Sequence, residues 1–419
     1  MTTTTTTTTP PPATTRRPTR PRVEARIDLD ALAHNVGLLA GLARGSGAAT
    51  MAVVKADGYG HGAVDVARTA LANGATWLGV CTLEEAAQLR TAGLRAPVLS
   101  WLHLPDEDFA PAVADDVDLG VSSRAELEGV VAGARRAGRP ARVHLKIDTG
   151  LSRNGCPPDA WVDLLGAVEA ARAAGEVEVA AVWSHLAHAD APDHPTTDRQ
   201  AARLHEAHRA ATARLGVPLL RHLANSAATL TRPDLHLDLV RPGIAVYGLD
   251  PIGDPTAPGA DPDPDEPRTG LRPAMTFRSR VALVKRVAAG EGVSYGHEWT
   301  TPDERLLALV PVGYADGVPR RLGMSGPQGG TMSVQVAGAR RPVVGRVCMD
   351  QVVVDLGPVD DAVPARAGDE VLLFGPGDAG EPTAADWAGR LDTIHYEVVT
   401  GVGSRPRVPR TVTGVRVPS

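Results

Sequence analysis

Apolar positions along this chain fall into two rhythms. From Val23 to about residue 250, short β-branched runs alternate with longer stretches whose apolar residues recur at helical spacing. Glu24-Ala25-Arg26-Ile27-Asp28-Leu29 alternates like a short strand, and Asp30 is placed to N-cap a helix carrying Leu32, Val36, Leu39 and Leu42. Ala52-Val53-Val54 reads as a strand buried on both faces. A helix with Val64, Ala67 and Leu71 on one face follows and closes near Asn73-Gly74. Further strands are predicted over 77–81, 96–101, 118–121, 142–148, 177–184, 222–225 and 239–243, with helices over 83–92, 124–138 and 197–215. Such alternation predicts an α/β fold with a parallel sheet, and a closed (β/α)8 TIM barrel is the leading architecture.

The second rhythm starts beyond a stretch rich in Pro and Asp, including Asp261-Pro262-Asp263-Pro264-Asp265, which reads as a linker or exposed loop over 251–273. Past it, short β-rich runs at 279–287, 306–312, 333–336, 352–356 and 370–374 predict a C-terminal mainly-β domain over 274–415, sandwich or barrel. The barrel domain spans 23–250, and its first strand, 24–29, is assignable to either domain. Residues 1–22 carry a threonine run, five prolines and four arginines, a composition predicted to be disordered. Pro18 and Pro21 stand where an export signal would be apolar, so no export role is expected.

Length and charge narrow the classes. A chain of 419 residues that is 43% hydrophobic is long enough for two cores. A net charge of −6 argues against nucleic acid or an anionic membrane as partner. No apolar stretch approaches the ~18 residues of a membrane span. Cys81, Cys156 and Cys348 are odd in number and far apart, which suits a cytoplasmic protein better than a disulfide framework.

The candidate chemistry begins at Lys55, where the 52–54 strand stops and Ala56-Asp57-Gly58-Tyr59-Gly60-His61-Gly62 turns away. An ammonium at the mouth of a buried strand is partly desolvated, which favours its neutral form and suits a Schiff-base nucleophile or proton carrier. The plain alternative is a strand-ending lysine whose head reaches water. Lys146, His185, Asn225 and Arg241 also fall at predicted strand ends, the side on which parallel barrels gather their chemistry.

Several segments together carry a resemblance across nearly the whole ordered chain. They are Ala52 to Gly62, Lys146-Ile147-Asp148-Thr149-Gly150, Asn225-Ser226-Ala227-Ala228, Val240 to Gly248, Ser294-Tyr295-Gly296, Val312 to Gly317 and Gly345 to Gln351. Each is weak alone, but in this order across two domains they resemble the alanine racemases, fold-type III enzymes dependent on pyridoxal 5'-phosphate (PLP). The resemblance implies that Lys55 holds PLP and serves as one of two acid/base groups, with Tyr295 the other on the opposite face. Two such groups suffice to remove a proton from one side of a planar carbon and return one to the other. Tyrosine, with an ordinary pKa near 10, needs a nearby cation for that task. Without the resemblance, Tyr295 reads as an aromatic beside a turn.

The resemblance places Arg241 against the pyridine nitrogen. An arginine does not readily give up its proton, so that nitrogen stays unprotonated and the ring is a weaker electron sink, which disfavours transamination. Taken alone, Arg241 is an arginine before a Pro-Gly turn. Phosphate binding falls by resemblance to Tyr59, Ser226, the amides of Gly243 and Ile244, and Tyr396, with His185 and Asn225 also around the cofactor. Glycine allows close backbone approach to an anion, and Asn225-Ser226 equally suits a helix N-cap. Lys146 matches a lysine that many relatives carry as N6-carboxylysine, whose negative charge holds Arg153 toward the substrate carboxylate. Unmodified, the two cations would repel. The residues just before Arg153, Leu151 and Ser152, differ from those of many relatives.

Tyr314, Met349 and Asp350 would line the substrate entrance from a partner subunit, which implies a homodimer with shared sites. L- and D-alanine are the implied substrates, with D-alanine supplied to peptidoglycan, and no metal is implied. Other readings are a broader small amino-acid (serine) racemase, a non-catalytic PLP-binding protein and a metal-dependent hydrolase using His185, His188, Asp190, Asp193 and His194. PLP-binding relatives of the second kind consist of the barrel alone. The hydrolase reading lacks a His-x-His at the first barrel strand.

Overall fold

The computed structural model describes residues 21–252, 269–323, 331–359 and 364–417. The predicted tail therefore lies outside the described residues except for its last two, as does the middle of the predicted linker. Strand β1 (Val23–Asp28) leads directly into a helix, Leu29–Gly45. The N-cap is Asp28 and not Asp30: its Oδ1 accepts from the Asp30 amide at 2.9 Å and the Ala31 amide at 3.2 Å. Asp30 instead sits in the first turn, where a carboxylate complements the helix dipole. The buried stripe runs Leu32, Val36, Leu39, Ala43, so Leu42 falls one position off it and is 41% exposed.

The barrel follows as β2 (Ala49–Val53), β3 (Trp77–Val80), β4 (Val98–Ser100), β5 (Val117–Val121), β6 (Ala141–Lys146), β7 (Val177–Trp183), β8 (Leu220–His222) and β9 (Leu239–Val240). Neighbours in chain order pair in parallel, and β9 returns to β2 with Ala49 opposite Leu239. Between β8 and β9 the Asp238 amide donates to Arg221 O at 3.1 Å and the Arg241 amide to Ala224 O at 2.9 Å, so the ring nearly closes. The α/β barrel expected from the apolar rhythm is thus present. Its last two strands are shorter than the pattern suggests. Residues 223–225 and 241–243 leave the ladder to build loops and a helix cap at the barrel mouth. Helix Trp161–Ala173, not evident from the pattern, crosses from β6 to β7.

The C-terminal domain contains β10 (Met275–Arg280), β11 (Leu283–Val287), β12 (Gly292–Val293), β13 (Trp299–Thr300), β14 (Arg305–Val310), β15 (Ser333–Val336), β16 (Ala339–Val344), β17 (Val352–Pro358), β18 (Glu370–Phe374) and β19 (Arg410–Thr413). Nine strands form one sheet in the order β11-β14-β17-β16-β15-β18-β10-β1-β19. The first strand of the chain therefore belongs here: β1 pairs antiparallel with β10 and parallel with β19. This part also holds two helices, Ala384–Leu391 and His395–Gly403. Trp387 of the first is buried against Phe374, ring centroids 5.1 Å apart, and Phe277 at 6.1 Å. The second helix lies against the turn that carries Lys55.

Candidate active site

Lys55 follows Val54 just past the end of β2 and is half-buried, with Nζ 5.9 Å from the centre of the Tyr59 ring. The chain after it does not simply loop. Ala56, Asp57, Gly58 and Tyr59 all have positive φ, 52°, 50°, 63° and 51°, and wind one left-handed turn. For residues with a Cβ such a turn is disfavoured by roughly 1–2 kcal/mol each, so it persists only where neighbours hold it. Glu85 provides one hold, accepting from the Ala56 amide at 2.6 Å with one oxygen and from the Cys81 amide at 2.7 Å with the other. Asp57 provides another, accepting from the Ala63 amide at 2.9 Å.

That turn carries the Tyr59 hydroxyl to the N-terminal side of Ile244, next to Gly243. A Cβ at residue 243 would collide with Tyr59 Oη, so only glycine leaves the space between them. Ser226 Oγ accepts from the Gly243 amide at 2.8 Å and the Ala245 amide at 3.2 Å. Tyr396 lies on the far side of Tyr59, ring centroids 6.4 Å apart. Burial raises the Tyr59 pKa strongly and that of Tyr396 to about 12, so both keep the phenolic proton they would donate to an anion. Asn225 holds the cup from below: its Oδ1 accepts from the Ala228 amide at 3.2 Å and caps helix Ser226–Thr231. Two phenol donors, a hydroxyl, backbone amides and a glycine-made space fit a phosphate.

Arg241 is buried beside this cup. Nη2 donates to Ser184 O at 2.8 Å and Leu223 O at 3.1 Å and lies 3.4 Å from His185 Nδ1, while Nη1 donates to His222 Nδ1 at 2.9 Å. Burial lowers the guanidinium to about 9, still above neutral, so it remains the donor. The tautomers beyond it follow. His222 accepts at Nδ1 and so donates from Nε2 to His144 Nδ1 at 2.9 Å, and His144 Nε2 donates to Asp118 Oδ2 at 3.0 Å. Burial, Arg241 and His144 push the His222 pKa well below its usual value, which keeps that ring neutral. Among the described residues Nε of Arg241 has no protein acceptor, which fits a ring nitrogen as its partner.

Trp183 packs between the charged groups. Arg241 Cζ lies 4.8 Å and Lys146 Nζ 4.4 Å from its ring, and His222 stacks on it at 5.2 Å. Burial, Arg241 and Arg153 lower the Lys146 ammonium to about 8. Arg153 is exposed, preceded by Ser152 at φ 56°, and makes no hydrogen bond or ion pair among the described residues. His185 is held neutral by burial and by the cations Arg241, Arg153, Lys146 and Lys55. The mouth of the barrel thus gathers Lys55, Tyr59, Lys146, Arg153, His185, Asn225, Ser226, Arg241, Gly243, Ile244 and Tyr396.

Tyr295, Tyr314, Met349 and Asp350 form a separate group on the C-terminal domain. The Tyr314 amide donates to Cys348 O and the Ala315 amide to Met349 O, each at 3.0 Å, and a Cβ at Gly313 would collide with Cys348 O. Asp350 pairs with Arg407 at 2.6 Å. Tyr295 is 72% and Met349 52% exposed among the described residues, large side chains left open to solvent. His188 and His194, noted above as metal candidates, stack at 3.9 Å. His194 Nδ1 also accepts from the Thr196 amide, which makes it a helix cap.

His222, His144, Asp118, Trp183 and Glu85 were not among the residues the sequence singled out. Glu85 had a local signal, since Thr82-Leu83-Glu84-Glu85 is a capping box in which Glu85 binds back toward the N-cap. The others carried none, because they meet across strands far apart in the chain.

The comparisons accord with this geometry. The family model for the alanine racemase N-terminal domain matches residues 27–251, and that for the alanine racemase C-terminal domain matches 274–412. An alanine racemase of Salinispora tropica is 55% identical over 94% of this chain and 99% of its own length. One of Mycolicibacterium smegmatis is 51% identical over 94% of this chain and 96% of its own. Among solved structures, the alanine racemase of Streptomyces lavendulae superposes with a TM-score of 0.86 at 48% identity, covering 95% of this chain and 98% of its own.

Proposed function

We infer that this chain, which belongs to the alanine racemase family and interconverts L- and D-alanine, does so with PLP seated at the barrel mouth. The cup of Tyr59, Ser226, Gly243 and Ile244, one strand end away from Lys55 and Arg241, carries this reading. Tyr59, Ser226, Tyr396 and the Ile244 amide would hold the phosphate, joined by the Gly243 amide once it exchanges its bond to Ser226 Oγ for the anion, with Lys55 at the aldehyde carbon, Arg241 Nε at the ring nitrogen, and His185 and Asn225 shaping the walls. When bound, the cofactor supplies the electron sink that makes the α-proton of the amino acid removable.

The chain's own residues do the rest. Lys55 Nζ takes or returns the α-proton on one face and Tyr295 Oη on the other. Arg241, buried and charged, keeps its proton and offers only donors, so a ring nitrogen held against it would stay unprotonated. The hydrogen-bonded relay His222–His144–Asp118 fixes the guanidinium's orientation from behind. Lys146, with its pKa lowered, has a larger neutral-amine fraction than an ordinary lysine, the form that adds carbon dioxide to become N6-carboxylysine. That carbamate would turn the repulsion from Arg153 into attraction and aim Arg153 at the substrate carboxylate.

Tyr295, Tyr314, Met349 and Asp350 act on this reading in the site of a second copy, in a homodimer with two shared sites. Their exposure supports it, since an exposed tyrosine and methionine on a rigid loop are suited to being covered. Three unpaired cysteines suit a reducing cytoplasm, where D-alanine would feed peptidoglycan assembly. No described helix is long and apolar enough to cross a membrane. The domain limits that follow are a barrel to residue 250 and a β domain from 274, with β1 counted in the second.

Racemisation of each small L-amino acid by protein stripped of cofactor, with and without added PLP, tests the reading. Alanine turned over fastest and only with PLP is the expected result; PLP-independent turnover would refute the cofactor assignment. Isotopic carbon dioxide retained on Lys146 in a carbon-13 spectrum, and lost in Lys146→Ala, checks the carbamate.

A further inference from the structure

The left-handed turn behind Lys55 is held from one side by the barrel, through Glu85, and from the other by the C-terminal domain. Arg410, the first residue of β19, donates through Nη1 to Asp57 Oδ2 and lies 3.5 Å from Gly60 O. Asp57 is thereby bridged: Oδ1 takes the Ala63 amide at 2.9 Å and starts the next helix, while Oδ2 takes the arginine. The same domain also presses on the end of the turn. A Cβ at Gly60 would stand 2.8 Å from Val399 O, and one at Gly403 would collide with Gly60 O, so two glycines let the backbones touch.

The turn carries Lys55 at its start and the Tyr59 hydroxyl at its end, the two groups that bracket the cofactor in the reading above. Three of its residues, Ala56, Asp57 and Tyr59, hold positive φ without being glycine. Relaxing toward ordinary backbone would swing both side chains. We propose that Arg410 is a positioning residue for the racemase reaction, clamping the Lys55 turn through Asp57 so that Lys55 meets the α-carbon in register. The clamp ties proton transfer at the barrel to β19, a strand bonded to β1 and not to the barrel sheet. Its role in catalysis rests on Lys55 being a proton carrier; its role in holding the turn does not.

The test compares Arg410→Ala, Arg410→Lys, Asp57→Asn and the double variant Arg410→Ala/Asp57→Asn, all as PLP-loaded enzyme. The Asp57→Asn side chain keeps an oxygen for the Ala63 amide and loses only the charge. Backbone amides of 56–62 should exchange hydrogen about fivefold faster in Arg410→Ala, the size expected of a half-exposed ion pair, with the β10 and β18 amides unchanged. Asp57→Asn should match it, the double variant should add nothing, and Arg410→Lys should recover most of the protection. In kinetics, kcat should fall with KM nearly constant, and the α-deuterium isotope effect should rise for one enantiomer only, the one whose proton Lys55 takes. Unchanged exchange in 56–62, or additive single effects, overturns the clamp. Faster exchange with equal isotope effects for both enantiomers overturns its catalytic role. Retained racemisation in Lys55→Ala would instead refute Lys55 itself, leaving the exchange result to decide the clamp.

Discussion

The turn that presents Lys55 and the turn that presents Tyr295 share a backbone device and differ in everything that surrounds it. Both rely on residues with a Cβ at positive φ: Ala56, Asp57 and Tyr59 in one, Ser294 at 62° and His297 at 46° in the other. Around Lys55 the strain is met from several sides, by Glu85, Asp57, Arg410 and the Gly60–Gly403 approach. Around Tyr295 the backbone is fixed, with Ser294 Oγ donating to Arg346 O at 2.8 Å, but the phenol itself projects into solvent. A side chain held at its base and uncovered at its tip is prepared for a surface that the described residues do not provide. On the proposed reading, one half of the two-base pair would be finished within the chain and the other only by association.

The sharpest way to break that contrast is to remove each base. Lys55→Ala should lose both the yellow chromophore and racemisation, by at least ~10³-fold, since it removes a cofactor anchor as well as a base. Tyr295→Phe should keep the chromophore and lose about 10²–10⁴ in rate. Absorbance spectra beside a coupled alanine assay separate the two. Loss of chromophore in Tyr295→Phe would mean the exposed turn supports the cofactor after all.

Mixing the two inactive variants at equal concentration sharpens the comparison further. Random dimers with shared sites should recover about a quarter of wild-type activity, because half are mixed and each mixed dimer has one intact site of two. No recovery would place both bases in a single chain.

A smaller effect is expected at the cup. Gly243→Ala forces a Cβ against Tyr59 Oη and should weaken PLP binding by ~30-fold, about 2 kcal/mol, read from fluorescence titration of the apoenzyme. The same substitution leaves the Tyr295 turn untouched.

An effect of similar size is expected in acid. Burial lowers His61, at the end of the Lys55 turn, and His395, on the helix packed against it, to about 4. An unfolded histidine titrates near 6.5, so between 6.5 and 4 the unfolded chain binds protons that the folded chain refuses. Stability is therefore full above pH 6.5 and falls as pH drops. Each ring accounts for about 2 kcal/mol between pH 6.5 and 5. Denaturation midpoints from pH 7 to 5 should fall less steeply in His61→Gln, and an unchanged slope would remove His61 from the explanation.

The fold class and the approach of Lys55 to Arg241 were legible early, because strand ends in a parallel barrel converge whatever their spacing in sequence, whereas Tyr59 and Gly243 came from the resemblance alone. The relay behind Arg241 was not. His222, His144 and Asp118 are separated by 78 and 26 residues and carry no local motif, and only barrel closure makes them hydrogen-bond. The cap shifted from Asp30 to Asp28 for a comparable reason: either carboxylate suits a first turn, and the choice is made by where β1 must end to pair with β10. Helix Ala384–Leu391 was hidden because its apolar face is short and built around one tryptophan.

Apolar periodicity is a local property of a few consecutive residues, so it settled most of the barrel's strands and helices, the division into two rhythms and the strand ends where chemistry collects. Which strand joins which sheet depends on contacts between segments far apart in the chain. The sequence left β1 open between two domains, and only the tertiary structure assigned it to the second, with β19 beside it and Arg410 delivered to the turn behind Lys55.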